Sequence, residues 1–267
     1  MSHKDTIRAE FTRQAEAFAT VAVLHNRERL DRLVNAVNPA PDDRALEIAT
    51  GPGHVAMAMA GRCREVVGVD LTDAILAVAE RTRRERGLAN VRFQRADAEQ
   101  LPFADGEFDI VFCRFALHHF EDPSVPLREM ARVCRAGGCV AVEDLAASEL
   151  PERAAFQDQF ERLRDPSHTR ALPISELARM FGARALEIET VTTGEVVQPV
   201  EYWMSYSHTP PDRAAQVREM FARDEQEDLS GACPFRRDGE LFFIQRTVTL
   251  VARRLTENRQ PITENEQ

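Results

Sequence analysis

The chain has little that would carry it into or across a membrane. No stretch of its 267 residues approaches the roughly 18–20 consecutive apolar residues needed to span a bilayer. Its opening residues, Met1-Ser2-His3-Lys4-Asp5, are polar and lack the apolar centre of a secretion signal. Cysteine is sparse as well. The five present (Cys63, Cys113, Cys134, Cys139 and Cys233) are odd in number and form no C-x-x-C pair. Neither a disulfide framework nor a metal site is therefore expected, and a reducing, cytoplasmic setting is. Basic charge is also short, with 34 Lys and Arg against 44 Asp and Glu, a formal net charge of −10. That balance disfavours a nucleic-acid partner, because phosphate contacts need a basic footprint, although a local basic patch would escape the argument. Nothing here speaks to oligomeric state. The length suits one domain, or a domain with a cap, and is large enough for a substantial core.

Against this background one stretch is dense in information. Leu46-Glu47-Ile48-Ala49-Thr50-Gly51-Pro52-Gly53-His54-Val55-Ala56 runs from an apolar strand through a glycine turn into a helix. Val66-Val67-Gly68-Val69 then reads as a second strand ending at Asp70. Gly51 and Gly53 let the backbone turn sharply and let a ligand lie against it. A carboxylate at the next strand tip is placed to take the hydroxyls of a ribose. The pattern Gly51-x-Gly53-x-x-Ala56 with Asp70 behind also satisfies a dinucleotide fingerprint, so a nicotinamide-dependent oxidoreductase is one reading. Three features favour S-adenosylmethionine instead. Glu47, at the tip of the first strand, would repel a pyrophosphate but could hold an ammonium group. Arg95-Ala96-Asp97-Ala98-Glu99 puts an acid at a third strand tip, where it could accept from an adenine amino group. Phe108 to Arg114 forms a fourth strand that opens into His118-His119.

These four motifs, in this order and spacing over roughly residues 44–145, resemble the class I S-adenosylmethionine-dependent methyltransferases, in the group that contains the ubiquinone/menaquinone C-methylases. The resemblance implies an α/β, Rossmann-like, doubly wound sheet of seven strands, mostly parallel with an antiparallel last strand beside the fifth, plus a helical lid. It also implies that Glu47, Ala49, Thr50, Gly51, Gly53 and Arg114 surround the methionine part of the cofactor and that Asp70 takes the ribose. Leu71, Asp97 and Ala98 would meet the adenine. Where the family has a glycine-like position, this chain has Ala49, expected to alter the turn rather than abolish binding.

The alternation of elements fits that sheet. Strands are expected near 45–49, 65–69, 91–95, 108–113 and 138–144, with helices near 54–61, 72–86 and 123–135. Residues 1–43 read as an N-terminal helical cap, in which Phe11, Gln14 and Phe18 would lie over the cofactor, and 44–145 as the cofactor-binding core. Residues 146–255 complete the sheet with strands near 185–191 and 241–251, and supply a substrate lid. That lid would include 195–239, with a helix near 212–224 and the aromatic residues Tyr202, Trp203, Tyr206 and Phe221, which could equally be core. Residues 256–267 are polar and expected to be disordered.

Methyl transfer needs alignment and exclusion of water more than acid–base chemistry, because the methyl donor is already activated. A base is needed when the acceptor is a phenol, an alcohol or a C–H acid. The candidates are His119, with Asp144 as its orienting partner by resemblance to natural-product O-methyltransferases, and the pair His168 and Arg170. In that pair His168 would be a second base and Arg170 an anion clamp. His118 is expected to face away, and a plain hydrogen-bonding role for each of these residues stays open. The expected activity is methylation of carbon, oxygen or nitrogen on a small organic acceptor. The alternatives are the same cofactor site recruited to cyclisation or another group transfer, the nicotinamide reading, and a non-catalytic binding module.

Overall fold

The structure, a computed structural model, describes residues 2–256. The expected polar tail lies outside the described residues from 257 onward.

The chain opens with three helices: α1 (His3–Thr20), α2 (Ala22–His25) and α3 (Arg27–Val37). Ser2 starts α1 through a capping box, in which its hydroxyl accepts from Asp5 N while the Asp5 carboxylate accepts from Ser2 N. Asn38 ends α3 in the left-handed conformation (φ 46°), before the breaker-rich segment 38–43. The sheet then alternates with helices: β1 (Arg44–Ile48), α4 (His54–Met59), β2 (Glu65–Asp70), α5 (Asp73–Glu85), β3 (Val91–Arg95), β4 (Phe108–Arg114), α6 (Ser124–Val133) and β5 (Cys134–Ala147). A 3₁₀ turn, Leu117–His119, follows β4. The last part contains α7 (Pro151–Arg164), β6 (Leu172–Pro173), α8 (Ile174–Gly182), β7 (Leu186–Pro199), α9 (Val200–Ser205), α10 (Pro211–Glu227), β8 (Phe235–Arg237) and β9 (Glu240–Arg254).

The main sheet has the order β3-β2-β1-β4-β5-β9-β7. β1 to β5 are mutually parallel, while β9 runs antiparallel between β5 and β7. This is the expected seven-stranded, doubly wound arrangement. The two-residue β6 beside β5 and the three-residue β8 beside β9 were not anticipated. They are too short for a period to show in sequence. The inner strands are buried on both faces, which is why Leu46, Val67, Val111, Val140 and Leu250 have no exposed surface. Burying each such side chain contributes about 1.5–3 kcal/mol.

Strand order reverses between β1 and β4, so a crevice opens there at the carboxyl edge. α1 lies across that edge, packing Ala15, Phe11 and Phe18 against Ile75 and Val78 of α5. The aromatic residues expected in a lid divide. Trp203, Phe221, Phe160 and Phe243 build a separate buried cluster between α7, α9, α10 and β9, and Trp203 has no exposed surface. Tyr206 reaches back toward α1, where its ring meets Phe18 edge-on at 6.0 Å.

Candidate active site

The glycine turn is built on positive φ. Ala49, Gly51 and Gly53 have φ of 48°, 54° and 77°. Ala49 therefore occupies the left-handed region with a Cβ, a strain of roughly 1–2 kcal/mol. This is the physical meaning of the departure from the family pattern: the turn keeps a left-handed residue at 49 and alanine bears its strain. At Gly53 a Cβ would lie 2.4 Å from Phe93 Cζ, so only glycine fits there.

Two carboxylates hold this turn. Asp70 accepts from Gly51 N at 2.9 Å and from Thr72 N at 3.0 Å, tying the turn after β1 to the turn after β2. Glu47 is buried, 3% exposed. It accepts from the Thr50 hydroxyl and, at 2.9 Å, from Ala56 N. Burial pushes the Glu47 carboxyl up to about 8, against the pull of those hydrogen bonds. Burial likewise raises Asp70.

At the other strand ends, Arg114 donates to Glu143 at 2.9 Å and to the Leu24 carbonyl at 2.8 Å, and its guanidinium lies 4.7 Å from the Phe115 ring centre. Asp97 receives Lys4 Nζ at 2.7 Å, and Lys4 also pairs with Glu99. His3 Nε2 donates to the His119 carbonyl at 2.7 Å. The first turn of α1 is thus fastened to the far side of the crevice. Beneath it lies a cavity of about 130 Å³. Nine of the ten residues expected around a cofactor (Glu47, Ala49, Thr50, Gly51, Asp70, Leu71, Asp97, Ala98 and Arg114) line it, and Gly53 stands behind them. Phe11 and Phe18 also line it; Gln14 does not, being buried in α1 with its amide on Glu10.

The catalytic candidates are arranged differently from expectation. Asp144 does not orient His119. Its Oδ1 accepts from His118 Nδ1 at 2.5 Å and its Oδ2 from Leu117 N at 2.6 Å, so it caps the 3₁₀ turn. Successive residues of a 3₁₀ turn diverge by a third of a turn, and the carboxylate at the end of β5 reaches the first histidine, not the second. Burial alone would lower His118, but the Asp144 carboxylate holds it above its ordinary value.

His119 instead meets Ser167, its Nδ1 lying 3.1 Å from the Ser167 carbonyl oxygen. A carbonyl only accepts, so Nδ1 carries the proton and Nε2 keeps its lone pair. Burial first, and then neighbouring His118, lower the His119 pKa and keep the ring neutral. His119 lines the large cavity and also a second chamber of about 60 Å³, walled by Phe18, Leu24, Phe115, Leu145 and Tyr206.

His168 and Arg170 come to neither space. His168 is turned inward onto Asp158 at 2.8 Å, and Arg170 pairs with Glu176 with 43% of its side chain exposed. The cation that does line the second chamber is Arg164, held between the rings of Trp203 and Tyr206 at 4.7 and 4.9 Å. It was missed because its place at the end of α7 looks like any helix C-terminal arginine. His54 was missed too. It sits at the start of α4, 8% exposed, lines the large cavity, and its Nε2 has no hydrogen-bond partner among the described residues. Burial lowers His54 to about 4.

The residues present fit a nucleoside–amino-acid cofactor. A left-handed turn admits close approach, three acids stand at three strand tips, and the orphaned His54 Nε2 awaits a polar partner. The fold and crevice define a class I methyltransferase. Residues 46–142 match the family described as Methyltransferase domain. The chain is similar to an uncharacterized methyltransferase, YcgJ, of Bacillus subtilis (strain 168), 36% identical over 214 residues, which cover 79% of this chain and 84% of that one. The crystal structure of YcgJ superposes with a TM-score of 0.81 at 32% identity, covering 86% and 99% of the two chains. A ubiquinone/menaquinone biosynthesis C-methyltransferase of Ectopseudomonas mendocina (strain ymp) is 36% identical over 124 residues, 45% of this chain and 48% of its own. The chain belongs to the S-adenosylmethionine-dependent methyltransferases, and S-adenosylmethionine is its cofactor. That membership replaces the nicotinamide reading of the glycine turn. Among the described residues no helix is long and apolar enough to cross a membrane.

Proposed function

We propose that the protein methylates a small, largely apolar organic molecule at an atom that carries a proton, with His119 as the base. The observation that carries this reading is the position of His119, which lines both cavities with Nδ1 committed to Ser167. When bound, the cofactor supplies a methyl group already activated on a sulfonium.

The protein's part is binding and orientation. Glu47 and the glycine turn would face the amino-acid end, Asp70 the ribose, and Leu71, Asp97 and Ala98 the adenine. His54 Nε2, which keeps its lone pair while the ring is neutral, is available to a donor such as the ammonium or a ribose hydroxyl. α1 excludes water from above, and its Lys4 gives Asp97 a cation that the adenine amino group would displace. The walls of the second chamber hold the acceptor's apolar body. Its reacting atom would sit beside His119 Nε2, within hydrogen-bond reach of about 2.6–3.2 Å. Such alignment contributes on the order of 7–11 kcal/mol to the rate.

The test is a screen of phenols, enols and amines with S-adenosylmethionine, reading S-adenosylhomocysteine formed by the wild type and by His119→Ala. Turnover of hydroxyl acceptors that falls at least a hundredfold in the variant, with cofactor affinity kept, supports the reading. Equal turnover in both proteins removes His119 from the chemistry.

A further inference from the structure

We infer that Asp165 is the positioning residue for His119, acting through Ser167, and that this relay commits the site to acceptors that surrender a proton. The inference rests on the methyl-transfer reading above.

The hydrogen-bond directions are fixed by chemistry. His119 Nδ1 lies 3.1 Å from the Ser167 carbonyl oxygen and 3.1 Å from Ser167 Oγ. The Ser167 hydroxyl donates to Asp165 Oδ1 at 2.6 Å, and Ser167 N donates to the same oxygen at 2.9 Å. The order of donation is therefore His119, then Ser167, then Asp165. All three are buried: His119 is 8% exposed, Ser167 0% and Asp165 3%. Among the described residues Asp165 makes no direct ion pair, and its buried carboxylate is held low by the His119 ring and the neighbouring Arg164 guanidinium. Its nearest use is an imidazolium at His119.

The surrounding charges point the same way. His118 stacks 4.2 Å from His119 and is paired with Asp144 from β5. His168 is 5.4 Å from His118 and is paired with Asp158 from α7. From the same helix come Arg164 and Glu161. Four carboxylates (Asp144, Asp158, Glu161 and Asp165) thus stand against Arg164, His118 and His168. For a proton on His119, the Asp165 carboxylate opposes the burial and the neighbouring His118 that keep the ring neutral.

The step this serves balances as follows. The acceptor's O–H hydrogen passes to His119 Nε2, and its oxygen forms the new C–O bond. The S–CH₃ bond breaks with its electron pair left on sulfur, giving the neutral thioether. Phe18, Leu24, Phe115, Leu145 and Tyr206 pack the acceptor's body, and His119 Nε2 takes the proton as the methyl arrives. An amine with a free lone pair needs no such relay. The acceptor class is a phenol or enol hydroxyl on a small apolar body.

The experiment uses ¹⁵N-histidine-labelled protein saturated with S-adenosylhomocysteine, together with turnover of the phenol, enol and amine panel. Asp165→Asn keeps an acceptor for Ser167 and removes only the charge; Ser167→Ala removes the hydroxyl link to Asp165 and keeps the Ser167 carbonyl and N–H in place. The wild type is expected to show neutral His119 protonated at Nδ1, with a downfield Nδ1–H resonance. Both variants are expected to move that resonance upfield and to lower hydroxyl methylation at least tenfold, with S-adenosylhomocysteine affinity held within twofold. A His119 protonated at Nε2, or a resonance and rate unchanged in both variants, overturns the relay. Turnover confined to amines overturns it as well and leaves the cofactor assignment standing. Failure of the wild type to bind S-adenosylhomocysteine would instead defeat the underlying reading of the cleft.

Discussion

Cofactor binding should release a proton, and Glu47 is its source. In the ligand-free protein burial pushes this carboxyl up to about 8, so at pH 7 about nine-tenths of the molecules hold it neutral. A cationic ammonium beside it restores the carboxylate. Binding of S-adenosylhomocysteine should then release about 0.9 proton at pH 7, about 0.5 at pH 8 and about 0.1 at pH 9. Affinity should rise about tenfold per pH unit up to pH 8 and then level off. The assay is calorimetric titration at each pH in buffers of different ionisation heat, where the slope of apparent enthalpy gives the protons released. Glu47→Gln mimics the neutral form and should abolish both the slope and the pH dependence. The same shift acts on folding. Because the folded carboxyl is raised, the ligand-free protein loses stability as pH climbs from the unfolded value near 4.3 to about 8, and is level above that. Glu47→Gln should lack this decline. A buffer-independent enthalpy at pH 7, or a slope that survives in Glu47→Gln, refutes the reasoning.

Four further outcomes are expected. Asp70→Ala removes the acceptor that ties Gly51 to Thr72 and that is proposed to take the ribose; cofactor affinity should fall roughly 10- to 150-fold, from about 1.5–3 kcal/mol for charge-assisted bonds, and an affinity within twofold of wild type would contradict the assignment. Ala49→Gly relieves the left-handed alanine and should raise stability by up to about 1 kcal/mol in urea denaturation, whereas a loss would mean that the turn is not strained. Lys4→Ala frees the first turn of α1 from Asp97 and Glu99; cofactor dissociation should quicken severalfold in stopped-flow displacement, and an unchanged rate would show that α1 does not gate the cleft. Trp203→Ala should cost about 3–5 kcal/mol of stability, since Trp203 is core; a small stability loss with a large effect on acceptor affinity would restore it to a lid.

Sheet and cofactor cleft were legible in the sequence because they rest on local signals. The run Leu46–Ala56 carries its own strand, turn and helix, and each acid stands at or near the end of a parallel strand, so topology brings Glu47, Asp70 and Asp97 to one edge. The catalytic arrangement was not legible, because it is made by contacts distant in sequence. His119 and Ser167 lie 48 residues apart, and whether Asp144 meets His118 or His119 depends on the phase of a three-residue 3₁₀ turn. His168 and Arg170 sit in the right loop, but the loop presents Ser167 to the site and turns His168 onto Asp158. Trp203 was ambiguous for a similar reason. An aromatic cluster reads alike in a lid and in a second core until its neighbours Phe160, Phe221 and Phe243 are placed.

The central claim is that the cleft beneath α1 presents the cofactor's methyl group to His119. It is tested most directly by nuclear Overhauser contacts from methyl-¹³C-labelled S-adenosylmethionine bound to the protein. Contacts are expected from the labelled methyl to the His119 ring and to Phe18 or Phe115, which share both cavities with it. A methyl group in contact with neither His119 nor those rings would contradict it.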